Sequence, residues 1–169
     1  GRGDPRGRGA LAGVLEVARS IRGKIAIAGV GETTYYKRGQ APEPEYVLAL
    51  KAILAACADA GIAPREVDGF ASYSNDQNDP ARIAAALGLP ELRFANMVWG
   101  GGGGGGSAAV ANAAAAIAAG YAECVVVYRA LAQGQFYRFG QGNYAGSVSG
   151  GMAYSAPYGV MSPAQMFAF

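Results

Sequence analysis

A run of seven consecutive glycines, Gly100–Gly106, leads directly into Ser107 and an alanine-rich segment. A helix that begins at such a junction leaves its first backbone N–H groups without partners inside the helix, and its dipole places partial positive charge there. Donors of this kind suit a carboxylate, a phosphate or the oxygen of a thioester. A flexible linker is the other interpretation of a glycine run. Because apolar sequence borders the run on both sides, we predict an active-site loop.

Composition excludes several other kinds of catalytic chemistry. The sequence contains no histidine, which rules out Ser–His and Cys–His nucleophile pairs within these residues. Its two cysteines, Cys57 and Cys124, lie in apolar surroundings without the spacing of metal ligands. We expect them to be reduced, buried thiols of a cytoplasmic protein.

Two further motifs are only weak indications of a cofactor or metal site. Gly29-Val30-Gly31 follows an apolar run, as in a dinucleotide-binding loop, but Thr34 stands at the third glycine position and no helix start follows. Asp76 and Asp79 have the look of a metal-binding pair, but the asparagines beside them favour a turn rich in side-chain hydrogen bonds. We therefore predict no bound cofactor and no metal ion.

The charges are few and unevenly placed. Charged residues make up 15% of the 169 residues, and hydrophobic residues 51%. Residues 1–24 carry six basic and two acidic side chains, so the rest of the chain is slightly acidic. It therefore lacks the basic composition that is typical of a nucleic-acid-binding surface. Residues 1–22 are predicted to form a disordered Arg/Gly-rich arm.

No stretch has the length and hydropathy of a membrane span, and the start lacks the apolar core of a secretory signal.

The remaining sequence has to position the glycine run. Apolar runs alternate with helix-type segments, which predicts a βαβαβαβ succession and hence an α/β fold with a largely parallel core sheet. The predicted elements are strands at residues 24–29, 67–73, 92–98 and 123–128, and helices at residues 44–60, 80–87 and 107–119.

Two of the predicted helices carry distinctive patterns. In the helix at 44–60, the side chains Val47, Leu50, Leu54 and Cys57 are expected on one apolar face. The helix at 107–119 has alanine at nine of thirteen positions and no polar face, which predicts burial on every side.

The composition changes after Tyr128. Residues 129–161 are rich in glycine and aromatic side chains and are predicted to form a loop insertion. These aromatics either line an apolar ligand site or attach the loop to the body of the domain. Ser162-Pro163-Ala164-Gln165 has the form of a helix start with a capping box. Because residues 162–169 then end within two turns, we expect a truncated helix and an incomplete fold.

Residues 24–169 resemble the amino-terminal half of the thiolase superfamily, and most closely its lipid-transfer-protein group, which includes steroid side-chain aldolases. The resemblance is carried by residues 23–33, 62–72 and 99–128, in the same order along the chain. It implies that residues 23–128 form half of a layered α-β-α sandwich with a buried central helix. It also implies a homodimer.

In thiolases a nucleophilic cysteine stands at the start of the buried helix, and counting back from Cys124 puts that position at Gly103. A covalent acyl-enzyme cannot form on glycine, so no catalytic residue is predicted in this chain. The backbone donors remain, and they make a candidate site for the thioester of an acyl-CoA substrate. The predicted substrate-binding residues are Gly103, Gly104, Gly105, Gly106 and Ser107.

The resemblance implies carbon–carbon bond cleavage by a retro-aldol route, or acyl transfer, on a CoA thioester. In the aldolases of this group, tyrosines act as acid and base in the second half of the fold, and a small partner subunit with an OB-fold and a zinc ribbon is required. None of Tyr128, Tyr144 and Tyr154 can be assigned to that role. The alternative is a non-catalytic acyl-CoA-binding or scaffold subunit, in which Gly103 marks lost chemistry.

Overall fold

The computed structural model describes residues 20–74, 76–99, 102–132, 135, 150–162, 165 and 168. Four helices and three strands occur in these residues. The helices are α1 (Glu45–Ala60), α2 (Pro80–Leu87), α3 (Gly105–Ala118) and the short α4 (Met152–Ser155), and the strands are β1 (Gly69–Tyr73), β2 (Phe94–Val98) and β3 (Val125–Val127).

The three strands form one parallel sheet in the order β2-β1-β3. Gly69 of the central strand pairs with Phe94 on one side and with Val125 on the other. Every strand-to-strand connection is therefore a crossover through a helix, which is the arrangement that alternating strands and helices predict. The predicted α/β class with a parallel sheet is confirmed.

Local sequence explains where the first two helices begin and end. Pro44 precedes the first residue of α1, and Gly61 ends it in the left-handed conformation with φ of 68°. The Asp79 carboxylate accepts a hydrogen bond from the N–H of Ala81 at 2.9 Å and so caps α2, which Gly88 ends in the same way with φ of 67°.

The core lies on both faces of the sheet. On one face, Phe70 packs with Ile53 of α1 and Ile83 of α2, and each of these side chains is almost fully buried. On the other face, Ala71 packs against Ala109 and Ala113 of α3. Alanine at these positions lets α3 approach the strands closely.

The predicted apolar face of α1 is correct for Cys57, which is buried, and for Leu50, which packs against the core, but wrong for Leu54. The buried side of α1 is formed by Glu45, Ala49, Ile53 and Cys57, whereas Leu54 is exposed. Glu45 can lie on the inward side because its carboxylate accepts a hydrogen bond there, from the N–H of Ala132.

Asp68 connects the starts of all three strands. Its carboxylate accepts hydrogen bonds from the N–H groups of Glu123 and Cys124 just before β3, at 2.9–3.0 Å. Its carbonyl oxygen accepts from the N–H of Arg93 at 2.8 Å, just before β2. The parallel register therefore begins from a single residue that precedes β1.

The predicted strand at residues 24–29 is not part of the described sheet. Lys24 lies in a turn, residues 25–29 belong to no helix or strand among the described residues, and Ile27 is 78% exposed. Gly29 and Gly31 lie against the backbone of α1, where a Cβ at Gly29 would be 2.5 Å from the carbonyl oxygen of Ala56. The segment therefore packs on a helix instead of beside a strand.

The central helix is also less buried than its composition predicts. α3 starts at Gly105, inside the glycine run, and buries Gly105, Ala109, Ala113 and Ala116. The opposite side is exposed, including Val110 at 40%. Only one face has a partner among the described residues, whereas an apolar pattern on all sides demands a partner on each.

The carboxyl-terminal part is described only in pieces. The predicted aromatic positions Phe136, Tyr137, Phe139 and Tyr144 lie outside the described residues. Further on, the predicted capping box is present. The Gln165 side-chain oxygen accepts from the N–H of Ser162 at 2.9 Å, and the Ser162 hydroxyl oxygen accepts from the N–H of Gln165 at 3.4 Å.

We expect Asp68→Ala to lower the free energy of unfolding by about 2–3 kcal/mol, because two backbone N–H groups lose a charged acceptor. Urea unfolding measures the effect. Glu91→Ala is the matched control, since Glu91 is exposed and reaches only Arg93, at 4.0 Å, and it should change stability by less than about 0.5 kcal/mol. Equal losses in the two variants would contradict the role of Asp68.

Candidate functional site

The glycine run lies at the carboxyl edge of the sheet. Because the strands are parallel, β1 ends at Tyr73, β2 at Val98 and β3 at Val127 on the same side. The run follows β2, and α3 begins at this edge. Crevices outside the carboxyl ends of parallel strands are the usual ligand sites of open α/β sheets.

The five predicted binding residues fall on two parts of this junction. Gly103 and Gly104 belong to a single 3-10 turn and are exposed, and no heavy atom of the described residues lies within 4 Å of the place where a Cβ would stand. Gly105, Gly106 and Ser107 form the first turn of α3. The structure thus brings all five together at the amino-terminal end of α3.

Tyr73 sets how closely the first turn of α3 approaches the sheet. A Cβ at Gly105 would lie 2.7 Å from Cδ2 of Tyr73, and one at Gly106 would lie 3.5 Å from Cζ of the same ring. Glycine is therefore required at position 105, because any side chain there would displace the ring or the helix. Gly105 therefore serves the packing of α3 against Tyr73, whereas Gly103 and Gly104 are exposed.

Arg129 places a positive charge beside this ring. Its guanidinium carbon is 4.8 Å from the centroid of the Tyr73 ring, a cation–π contact. Tyr73 is the last residue of β1, and Arg129 follows β3 by two residues. Sequence reasoning missed both residues, although a charged side chain directly after the predicted strand at 123–128 is the signal that would have found Arg129.

A buried polar network fixes the segment that carries Arg129. The Asp76 carboxylate accepts from the N–H of Ala130 at 2.9 Å, and the Glu45 carboxylate accepts from the N–H of Ala132 at 2.8 Å. Asn78 bridges the two carboxylates through its side-chain amide, at 3.1 and 3.3 Å. Each carboxylate is buried, and each meets backbone or amide donors.

The two aspartates that resemble a metal pair have separate structural roles. Asp76 accepts from the N–H of Asn78 at 2.8 Å as a turn and holds the chain after β3, whereas Asp79 caps α2. Among the described residues there is no group of three or more His, Cys, Asp or Glu side chains able to hold a metal ion.

Burial raises the pKa of one tyrosine hydroxyl and of both thiols. Burial raises the pKa of Tyr128 far above its usual value, with Asp76 and Asp79 adding to the effect. Its hydroxyl donates to the carbonyl oxygen of Asn78 at 2.6 Å. Burial likewise raises the pKa of Cys57 and of Cys124, and both are free thiols. Neither cysteine has the character of an activated nucleophile.

No family model matches the chain. Two curated proteins are similar to it over 154 residues, or 88% of its length. One is a steroid side-chain-cleaving aldolase of Thermomonospora curvata, 39% identical, and the other is a 17-hydroxy-3-oxo-4-pregnene-20-carboxyl-CoA lyase of Mycobacterium tuberculosis, 37% identical. The chain spans 38% and 39% of their respective lengths.

A solved structure, the Ltp2-ChsH2(DUF35) aldolase, is similar with a TM-score of 0.67 and 36% identity. The similarity covers 83% of this chain and 35% of the matched chain. Together these matches confirm the expected relationship to thiolase-like lipid-transfer-protein aldolases. The helices in the described parts of the chain are all too short or too polar to cross a bilayer.

A cysteine introduced at Gly103 should be more acidic than an ordinary thiol, because it would stand before the amino terminus of α3 in open space. Ala118→Cys is the matched control, since Ala118 is exposed at the opposite end of the same helix. The pH dependence of alkylation should give Gly103→Cys the lower thiol pKa, by about one unit or more. Equal values would contradict an electropositive site at this junction.

Gly105→Ala should displace Tyr73 and lower the free energy of unfolding by about 1–3 kcal/mol, as overpacking does. Gly104→Ala is the matched control, because a Cβ at Gly104 would contact no heavy atom of the described residues within 4 Å. It should leave the free energy of unfolding almost unchanged. Thermal or urea unfolding compares the two. A neutral Gly105→Ala would show that the ring does not set the position of the helix.

Proposed function

We propose that this chain is part of an acyl-CoA-handling enzyme that cleaves a carbon–carbon bond of a CoA thioester by a retro-aldol reaction. The observation that carries the proposal is its 37–39% identity to two proteins named as an aldolase and as a CoA-ester lyase. The carboxyl edge is compatible with the same reaction class, because the first turn of α3 and the Arg129 guanidinium both lie beside the Tyr73 ring.

The reaction breaks the bond between the α-carbon of the thioester and the carbon that bears the β-hydroxyl group. The hydroxyl proton goes to a base, a carbonyl group forms, and the electron pair moves onto the thioester as an enolate. Protonation of the α-carbon then releases the shortened acyl-CoA. The negative charge that develops on the thioester oxygen is what donors at Gly103–Ser107 and the nearby Arg129 would stabilise.

Gly103 is compatible with this route. A retro-aldol cleavage needs no covalent acyl-enzyme, so a nucleophile at the start of α3 is dispensable. The acid and the base belong, in our proposal, to the part of the aldolase fold that this chain does not span. Acyl transfer through a thiolase-type nucleophile is the less fitting reaction for the same reason.

We further propose the quaternary arrangement that the resemblance implies. The chain would correspond to the amino-terminal half of the fold, with residues 1–22 as an arm, in a cytoplasmic homodimer. The name of the solved relative, Ltp2-ChsH2(DUF35) aldolase, joins two components and supports a partner subunit. A small OB-fold and zinc-ribbon subunit is accordingly the partner that we propose for the complete protein.

The second candidate is a non-catalytic acyl-CoA-binding or scaffold subunit. Gly103 favours it, since that residue removes the group on which thiolase chemistry depends. The two candidates differ in one measurable property, which is whether a bound CoA thioester is converted to product.

The test combines the complete protein and its partner subunit with 17-hydroxy-3-oxo-4-pregnene-20-carboxyl-CoA, the compound in the name of one relative. We expect one ketone and one shortened acyl-CoA per turnover. Arg129→Ala should lower kcat by about 10²-fold, as loss of a transition-state charge partner does. Arg93→Ala, which removes a cation at the opposite edge of the sheet beside Asp68, should leave kcat within about twofold of the parent.

Tight binding without product would favour the scaffold candidate. Absence of both binding and turnover for a series of β-hydroxyacyl-CoA thioesters would overturn both candidates.

A further inference from the structure

The register of the sheet places Tyr73 opposite Arg129. β1 and β3 pair Ala71 with Val127, so the next pair on the same face, two residues further along each chain, is Tyr73 with Arg129. The cation–π contact between these two side chains is therefore a contact across neighbouring strands. It lies just beyond the hydrogen bond that the N–H of Tyr128 donates to the carbonyl oxygen of Ala71, at 3.0 Å.

β1 leaves the sheet directly after Tyr73. Ser74 has a φ of 41°, in the left-handed region that strands do not use. Continued in the same register, the ladder would join the N–H of Ala130 to the carbonyl oxygen of Tyr73. This N–H donates instead to the Asp76 carboxylate, at 2.9 Å. A side chain of the loop that leaves the sheet thus takes the place of strand backbone.

A second carboxylate continues the ladder further. The N–H of Ala132 donates to the Glu45 carboxylate at 2.8 Å. Alternate residues of an extended chain direct their N–H groups to the same side, and Tyr128, Ala130 and Ala132 all find acceptors. Burial alternates with the same period, because these three residues are buried and Arg129 between them is half-buried. Residues 128–132, which we call the extension, therefore prolong β3 in register.

Each of the two carboxylates uses both of its oxygens. Oδ1 of Asp76 accepts from the backbone N–H and the side-chain amide of Asn78, at 2.8 and 3.1 Å, while Oδ2 accepts from Ala130. Oε1 of Glu45 accepts from the same Asn78 amide at 3.3 Å, while Oε2 accepts from Ala132. An amide side chain has only one acceptor oxygen. Asparagine or glutamine in these places would therefore leave one donor without its acceptor.

We propose that Asp76 and Glu45 are positioning residues of the reaction, because they hold the extension in register and so keep Arg129 opposite Tyr73. The inference rests on the proposed function, in which Arg129 stabilises the charge on the thioester oxygen. A slip of one residue in the extension would turn the Arg129 side chain to the other face of the sheet. Smaller shifts matter as well, since a displacement of about 1 Å can cost about 10²-fold in rate.

The test is a double-mutant cycle in the complete protein, with its partner subunit and the CoA thioester named above. Asp76→Asn should lower kcat by about tenfold and change KM less, because an interaction made in the transition state is lost. In an Arg129→Ala background, the same substitution should change kcat by less than about twofold, since the group that Asp76 positions is gone. Losses of equal size in the two backgrounds would overturn the proposal.

Asp79→Asn is the matched control in the same loop. It removes one negative charge, as Asp76→Asn does, but Asp79 is exposed and its carboxylate caps α2 through the N–H of Ala81. Asparagine caps helices about as well as aspartate, so kcat should stay within about twofold of the parent. A loss as large as that of Asp76→Asn would assign the effect to charge instead of position, and would overturn the proposal.

Glu45→Gln applies the same cycle at the far end of the extension, and it serves if Asp76→Asn does not fold. Its loss in kcat should be smaller, because Ala132 lies three residues from Arg129 whereas Ala130 is adjacent. The loss should again disappear in the Arg129→Ala background. A loss that persists there would overturn the proposal.

Hydrogen exchange of the unsubstituted protein needs neither a variant nor a substrate. The amides of Ala130 and Ala132 should exchange as slowly as the amide of Tyr128, whose acceptor belongs to β1. Rapid exchange at Ala130 and Ala132 would overturn the proposal whatever the activity. Slow exchange in a complete protein that converts no CoA thioester would instead overturn the proposed function, and with it the positioning role, while the extension itself would stand.

Discussion

The parallel pairing of β1 with a strand on each side is the constraint on which the rest of the structure depends. It brings the ends of three separate chain segments to one edge, where Tyr73 and the start of α3 meet. Asp68 sets this register, because its carboxylate and its carbonyl oxygen bind backbone groups just before β3 and β2. A residue at the amino edge of the sheet thus determines the geometry at the opposite edge.

At the carboxyl edge, the absence of side chains has two separate consequences. At Gly105 it allows the Tyr73 ring to lie directly against the first turn of α3. At Gly103 and Gly104 it leaves space in front of the helix amino terminus. Packing fills the first position, and the second pair stays open to a ligand. A homopolymeric run therefore contains residues with different functions.

The buried carboxylates explain how a positive charge is held at this edge. Glu45 and Asp76 bind the backbone that follows β3, and Asn78 joins them. Arg129 lies in this stretch, over the Tyr73 ring. Because the carboxylates bind backbone N–H groups, they position the segment from which the Arg129 side chain extends over the Tyr73 ring.

The sequence by itself determined the elements whose signals are local. Gly61 and Gly88 end α1 and α2 through their left-handed conformations, Asp79 caps α2, and Ser162 with Gln165 forms a capping box. Alternating strands and helices predicted the parallel sheet, and the glycine run predicted that a helix begins there.

Contacts between distant segments were decided only by the tertiary structure. The inward face of α1 depends on donors almost ninety residues away, at Ala132. The pairing of Tyr73 with Arg129 joins the ends of two strands that are neighbours in space but not along the chain. For residues 24–29, an apolar run predicts a strand, but a strand also needs a partner, and the described residues provide a helix instead. The local sequence determines helix and strand propensity, helix ends and residue spacing. The partner against which a helix or strand packs depends on which segments the fold brings together.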